Sequence, residues 1–138
     1  MPGYSGTPLP KKLGIKDGFR VVLVDAPAEV RAELREALAG CEMSGERRAA
    51  SQAAVDFGMV FAKSRGQLTQ EFGRVTKMLA PAGMLWVSWP KKSSGVASDL
   101  DENMVRGIGL DAGLVDVKVC AVTEVLSGLK FVRRVKDR

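Results

Sequence analysis

Between the apolar run MLWVSW and the acidic stretch SDLDE lie Lys91, Lys92, Ser93, Ser94 and Gly95, a set suited to holding an anion. Small residues in a tight loop leave backbone N–H groups open, and neighbouring ammonium groups favour a phosphate or carboxylate. The loop lacks the G-x-x-x-x-G-K-[ST] spacing of a nucleotide cradle. Asp99, Asp101 and Glu102 also place negative charge in the first turn of the helix that follows. They satisfy its positive end, so a guest anion is expected on the loop. A solvated, conformationally restricted loop would carry the same residues.

The same tripeptide occurs twice, as Pro10-Lys11-Lys12 and Pro90-Lys91-Lys92. If the N-terminal segment crosses the strand ends, four lysines meet at one cleft and focus positive potential there. Asp25 closes another apolar run and is placed to contact a ribose or an amine, or else to bond nearby backbone. Trp86 and Trp89 are three residues apart, which puts them on opposite faces of a strand. Trp86 then belongs to the core, while Trp89, beside Pro90, either lines the cleft and stacks on a base or anchors the loop.

Other chemistry is excluded by what is missing. The chain has no histidine, which removes Ser-His-Asp and Cys-His triads. Cys41 and Cys120 are too few for a zinc site or a disulfide framework. Cys120 has no feature nearby to lower its pKa and reads as a small hydrophobe. No catalytic residue and no metal-ligand set is expected. Arg133, Arg134, Lys136 and Arg138 make a basic tail without an aromatic RNA-recognition signature. A charged edge strand accounts for them equally well. The net charge of +5 admits anionic small molecules, nucleic acid or acidic proteins as partners, and solubility alone would also explain it.

These residues must be positioned by one domain, since 138 residues is a single-domain length. An N-terminal arm over residues 1–18 carries three prolines and four glycines and is expected to be an ordered arm or coil, not a helix. Residues 19–138 form the domain. FRVVLVD (Phe19 to Asp25), VDFGMVFA (Val55 to Ala62) and MLWVSW are continuous apolar runs, the mark of strands covered on both faces. Helices are expected from Pro27 to Gly40, from a Ser64/Gln67 capping box to about Leu79, and from an Asp99/Glu102 capping box onward. The last of these carries an inner stripe of Leu100, Met104 and Ile108, and ERRAA is a candidate short strand. LVDVKVCAV and GLKFVRRV then alternate as a hairpin turning at LSG. The alternation of strand and helix predicts an α/β fold: a three-layer, Rossmann-like, mostly parallel sheet with a C-terminal antiparallel hairpin.

The blocks YSGTPLPKKLGI, MLWVSWPKKSSG and GLVDVKVCAVTEVLSGLKFVRRVKDR closely resemble a bacterial family of domains of unknown function, numbered 3052. That resemblance spans nearly the whole chain and implies no activity. More distantly, LAPAGMLWVSW and the terminal hairpin are similar to the later half of Rossmann-like methyltransferases. Adenosylmethionine (SAM) is the cofactor this second resemblance implies, but its usual motif is absent. The turn after the first strand reads VDAPAEV (Val24 to Val30) where those enzymes carry glycines, and FAKSRG stands where they carry an acidic-aromatic motif. The leading expectation is a non-catalytic binding or interaction module that takes an anionic small molecule or a protein partner at the strand ends. The alternatives are a degenerate or atypical methyltransferase and a basic nucleic-acid-binding domain. With no apolar run of membrane-span length and no signal-peptide layout, the expected location is cytoplasmic.

Overall fold

The computed structural model describes residues 7–43 and 55–138. The ERRAA segment and the first residues of the arm lie outside them. Among the described residues the strands form one six-stranded sheet in the order β2-β1-β3-β4-β6-β5. These are β1 (Arg20–Val24), β2 (Glu42–Met43), β3 (Val55–Phe61), β4 (Leu79–Pro90), β5 (Leu114–Ala121) and β6 (Leu126–Arg133). Strands β2, β1, β3 and β4 run parallel, whereas β6 pairs antiparallel with both β4 and β5. The expected mixed, mostly parallel Rossmann-like architecture is therefore present.

Continuous apolar runs make central strands here because both faces are covered. Along β1, Val21 and Leu23 enter one core cluster while Val22 and Val24 enter the other. The cluster that takes Val22 and Val24 lies under α3 (Arg65–Met78) and α4 (Glu102–Asp111), built on Leu68, Phe72, Val75 and Val105. The cluster that takes Val21 and Leu23 lies under α1 (Leu9–Leu13) and α2 (Ala28–Ala39), built on Leu9, Leu13, Val30 and Leu34. Burying a side chain of this size stabilises by roughly 1.5–3 kcal/mol, so each helix is held mainly by its inner stripe. Phe72 and Phe131 lock α3 to β6 edge-to-face, with ring centroids 5.2 Å apart.

Several local expectations need correction. The arm is not all coil, because Leu9–Leu13 is a helical turn. Pro10 sits in its first turn, where a missing N–H costs nothing. Gly14 ends it at φ 85°, a left-handed conformation that glycine adopts without strain. Leu9 and Leu13, four apart, both point inward, and Trp86 Nε1 donates to the Leu13 carbonyl at 3.0 Å. The fourth helix is capped by Asp101, whose carboxylate accepts from Met104 N at 2.8 Å, and not by Asp99. Asp99 instead accepts from Arg65 N at 2.8 Å, at the start of α3. In α4 the buried positions are Val105 and Gly109, with Met104 and Ile108 packed partly against the core.

The hairpin does not turn at LSG. Leu126, Ser127 and Gly128 are already in β6, pairing with Pro90, Trp89 and Ser88. The chain reverses at Thr123, whose hydroxyl accepts from Val125 N and Leu126 N at 3.1 and 3.0 Å. A threonine making such local bonds is a turn signal of the Ser/Thr kind. Gly128 is there for space, since a Cβ would press on Val122 and the Trp86 ring.

Candidate functional site: a cleft at the strand ends

Because β1, β3 and β4 are parallel, their carboxyl ends gather on one rim. From β1 the chain crosses outward to β2 and then returns to β3 on the other side, so the strand order reverses between β1 and β3. A crevice at such a reversal is where open α/β sheets take ligands. A cleft of about 350 Å³ lies here. That is the lower end of the range for small-molecule sites, roughly 300–1,000 Å³. Its walls are Pro27, Phe61, Ala62, Pro90 and Leu126, and its polar groups come from Asp25, Lys63, Gln67 and Ser88.

Each polar group is held by a local cause. Asp25, directly after β1, adopts φ 57°, the one positive φ of a non-glycine residue among the described residues. Aspartate tolerates that conformation better than most side chains. Gln67 stands at the third position of α3, whose Ser64 cap accepts from Gln67 N at 3.2 Å. Its side chain then spans the rim: Nε2 donates to Asp25 Oδ2 at 3.0 Å, and Oε1 accepts from Lys63 N at 3.2 Å. Ser88 is fully buried and donates to the Ser127 carbonyl at 2.9 Å. Lys63 is exposed, and no carboxylate among the described residues pairs with its ammonium group. The cleft thus offers a carboxylate and an ammonium on apolar walls, with Gln67 tying the two elements together.

The sequence-derived site residues are divided by the fold. Asp25 is in the cleft lining. Trp89 is 4% exposed and packs in the core under α3 and α4, so the cleft wall at that point is its neighbours Ser88 and Pro90. Trp86, on the other face, is fully buried. The lining stops at Pro90, and Lys91, Lys92, Ser93, Ser94 and Gly95 lie beyond it. Most amides of that loop are already used: Lys91 N bonds Val125 O, Ser94 N bonds Lys91 O and Gly95 N bonds Lys92 O. Val96 N is held by Ser94 Oγ, and Lys92 Nζ lies 4.0 Å from Asp101 Oδ2. Of the other lysine pair, Lys12 Nζ donates to Ala121 O at 3.0 Å, on the hairpin.

Lys63 and Gln67 are the cleft residues that sequence reasoning passed over. Lys63 directly follows the apolar run that ends at Ala62, and Gln67 is half of the Ser64/Gln67 capping box. Nothing local showed that its side chain would turn toward Asp25, forty-two residues away.

Neither thiol is poised as a nucleophile. Burial raises the Cys120 pKa, opposed by the nearby charges of Lys12 and Lys118. Burial, with Asp17, raises that of Cys41. Among the described residues no group of three histidine, cysteine, aspartate or glutamate side chains is arranged for a metal, and no helix is long and apolar enough to cross a membrane.

Solved structures to which the chain is similar in fold include methyltransferases. A SAM-dependent methyltransferase from Aquifex aeolicus superposes with a TM-score of 0.60 at 17% identity, covering 88% of this chain and 85% of that one. Magnesium protoporphyrin IX methyltransferase from Synechocystis, with bound SAH, gives 0.58 at 11% identity over 91% and 78%. A chain from the complex of the Haloferax volcanii Trm112 methyltransferase activator with a putative methyltransferase gives 0.65 at 9% identity over 90% and 86%. At such identities the likeness is one of fold. No protein-family model matches the chain, and no curated protein does.

Proposed function

We propose that this protein is a non-catalytic, cytoplasmic binding module on a methyltransferase fold, and that its cleft holds a small molecule with an acidic group and a hydroxyl or amine. The cleft at the β1/β3 reversal carries this reading. Lys63 would take the acidic end, Asp25 would accept from the hydroxyl or amine, and Phe61, Pro27, Pro90 and Leu126 would exclude water around the body of the guest. The chain has no histidine to move a proton, and the Asp25 carboxylate is already bonded to Gln67. A binding role asks for neither a general base nor a free nucleophile.

The fold likeness favours a second reading, an adenosylmethionine-dependent enzyme. The turn after β1 does not fit the backbone approach which that cofactor's glycine-rich cradle provides. Pro27 has no N–H and, with the Asp25 side chain, forms the cleft wall where bare backbone would be needed. No transfer step is therefore derived for this chain.

Nitrogen-labelled protein titrated with small hydroxy acids, amino acids and adenosylhomocysteine separates the two. A hydroxy or amino acid should move the amide signals of Lys63, Gln67 and Asp25. Lys63→Gln should weaken it roughly tenfold while changing stability by no more than about 0.5 kcal/mol. Preferential binding of adenosylhomocysteine in the cleft would transfer the case to the enzyme reading. Signals that move only away from the cleft would refute both.

A further inference from the structure

A different part of the molecule carries a charge arrangement that the cleft does not explain. In the β5–β6 hairpin, Lys118 and Lys130 are direct cross-strand partners. Residues so paired project from the same face, and like charges placed there are destabilising. Lys130 is also opposite Trp86 on β4, whose indole reaches α1, so both lysines stand on the α1 face of the sheet. Lys12, from α1, completes the group: Lys118 Nζ donates to Lys12 O at 2.9 Å, and Lys12 Nζ donates to Ala121 O at 3.0 Å. No carboxylate among the described residues pairs with Lys118 or Lys130. The hairpin's aspartate, Asp116, is bound to Arg106 at 2.9 Å.

Lys118 has a structural task, since it holds a carbonyl at the end of α1. No such task is seen for Lys130. Its side chain is half-buried in the middle of a strand, where an apolar residue would remove both desolvation and repulsion. Burial, and then the charge of Lys118, hold its pKa below the ordinary lysine value. A group that is unfavourable in the empty protein is relieved by a guest of opposite charge.

We infer that Lys12, Lys118 and Lys130 form a second binding site, on the α1 face of the hairpin, for a compact phosphate-type anion. Lys118 and Lys130 are cross-strand neighbours and Lys118 Nζ reaches the Lys12 carbonyl, so the three residues are grouped instead of strung along a stripe, which suits a phosphate or pyrophosphate group better than a nucleic-acid backbone. None of the exposed large hydrophobic residues among those described is aromatic, so the described residues offer no platform for stacking bases there.

Calorimetric and thermal-shift titrations with inorganic pyrophosphate, inorganic phosphate and a single-stranded RNA oligonucleotide test this. Pyrophosphate should bind and raise Tm, by linkage, more than phosphate does. Lys130→Gln should weaken pyrophosphate binding roughly tenfold or more and should melt above the parent when no anion is present. Lys118→Gln, at an exposed position, should show the same weakening without depending on how the strand interior repacks. Lys63→Gln, in the cleft, should leave pyrophosphate binding intact. The inference fails if millimolar pyrophosphate has no effect, if either hairpin variant binds it as the parent does, or if Lys63→Gln abolishes binding. RNA binding more tightly than pyrophosphate, with the same dependence on Lys118 and Lys130, would replace it by a nucleic-acid surface.

Discussion

At the residue scale, electrostatic partnerships decide what each charge does. Arg106 on α4 bonds Asp116 at 2.9 Å and Glu102 at 2.7 Å, joining the helix to β5. The hydrogen bond from Arg106 is the main cause of the lowered Asp116 pKa. A carboxyl whose folded pKa lies below its unfolded value stabilises the fold above the unfolded pKa. That contribution disappears as pH falls through the folded one. Acid titration of Tm from about pH 6 to 2 should therefore show a steeper loss in the parent than in Asp116→Asn. Equal slopes would mean that the pair contributes nothing measurable, as many exposed pairs do. Asp25 shows the converse case. Its geometry is set by backbone and by Gln67, leaving a carboxylate fixed at the rim before any guest arrives.

At the element scale, caps and turns fix where the strand ends open. Ser64 satisfies the first turn of α3 and thereby aims Gln67 into the cleft. Asp101 does the same for α4, while Asp99 reaches across to α3. Ser64→Ala should cost roughly 1 kcal/mol in chemical denaturation, and so should Asp101→Ala. Only the Ser64 variant should also alter the Gln67 side-chain amide signals. Identical spectra at Gln67 would show that its position does not depend on the cap. The hairpin shows a limit of pattern reading. LSG has the composition of a turn, yet Thr123 supplies the turn acceptors, and Gly128 is required by the Trp86 ring beside it.

At the scale of the whole molecule, the N-terminal segment is part of the packing. Leu13 is fully buried in the α1/α2 cluster, and its carbonyl receives the Trp86 indole. Leu13→Ala should destabilise the protein by about 2–5 kcal/mol and open the segment around α1 to limited proteolysis. An unchanged denaturation midpoint would show instead that the segment is a detachable arm. Its docking also carries Lys12 to the hairpin, so the same packing that completes the core assembles the lysine group. The rim at the carboxyl ends of β1, β3 and β4 is likewise a property of the sheet and of no single element.

The chain's own order of residues determined the central strands, the spacing of the three longer helices and the mixed, mostly parallel sheet, but not α1, β2 or the start of β4 at Leu79. Apolar periodicity acts over a few residues and states which face of an element is buried, so Trp86 and Trp89 could be placed on opposite faces from their spacing alone. Which lysines meet was decided by strand order. Lys12 joins Lys118 and Lys130 because β6 inserts between β4 and β5 and α1 lies across them, while Lys91 and Lys92 stay on a loop. Long flexible side chains have no periodic signature, and their partners are set by contacts between residues more than a hundred positions apart.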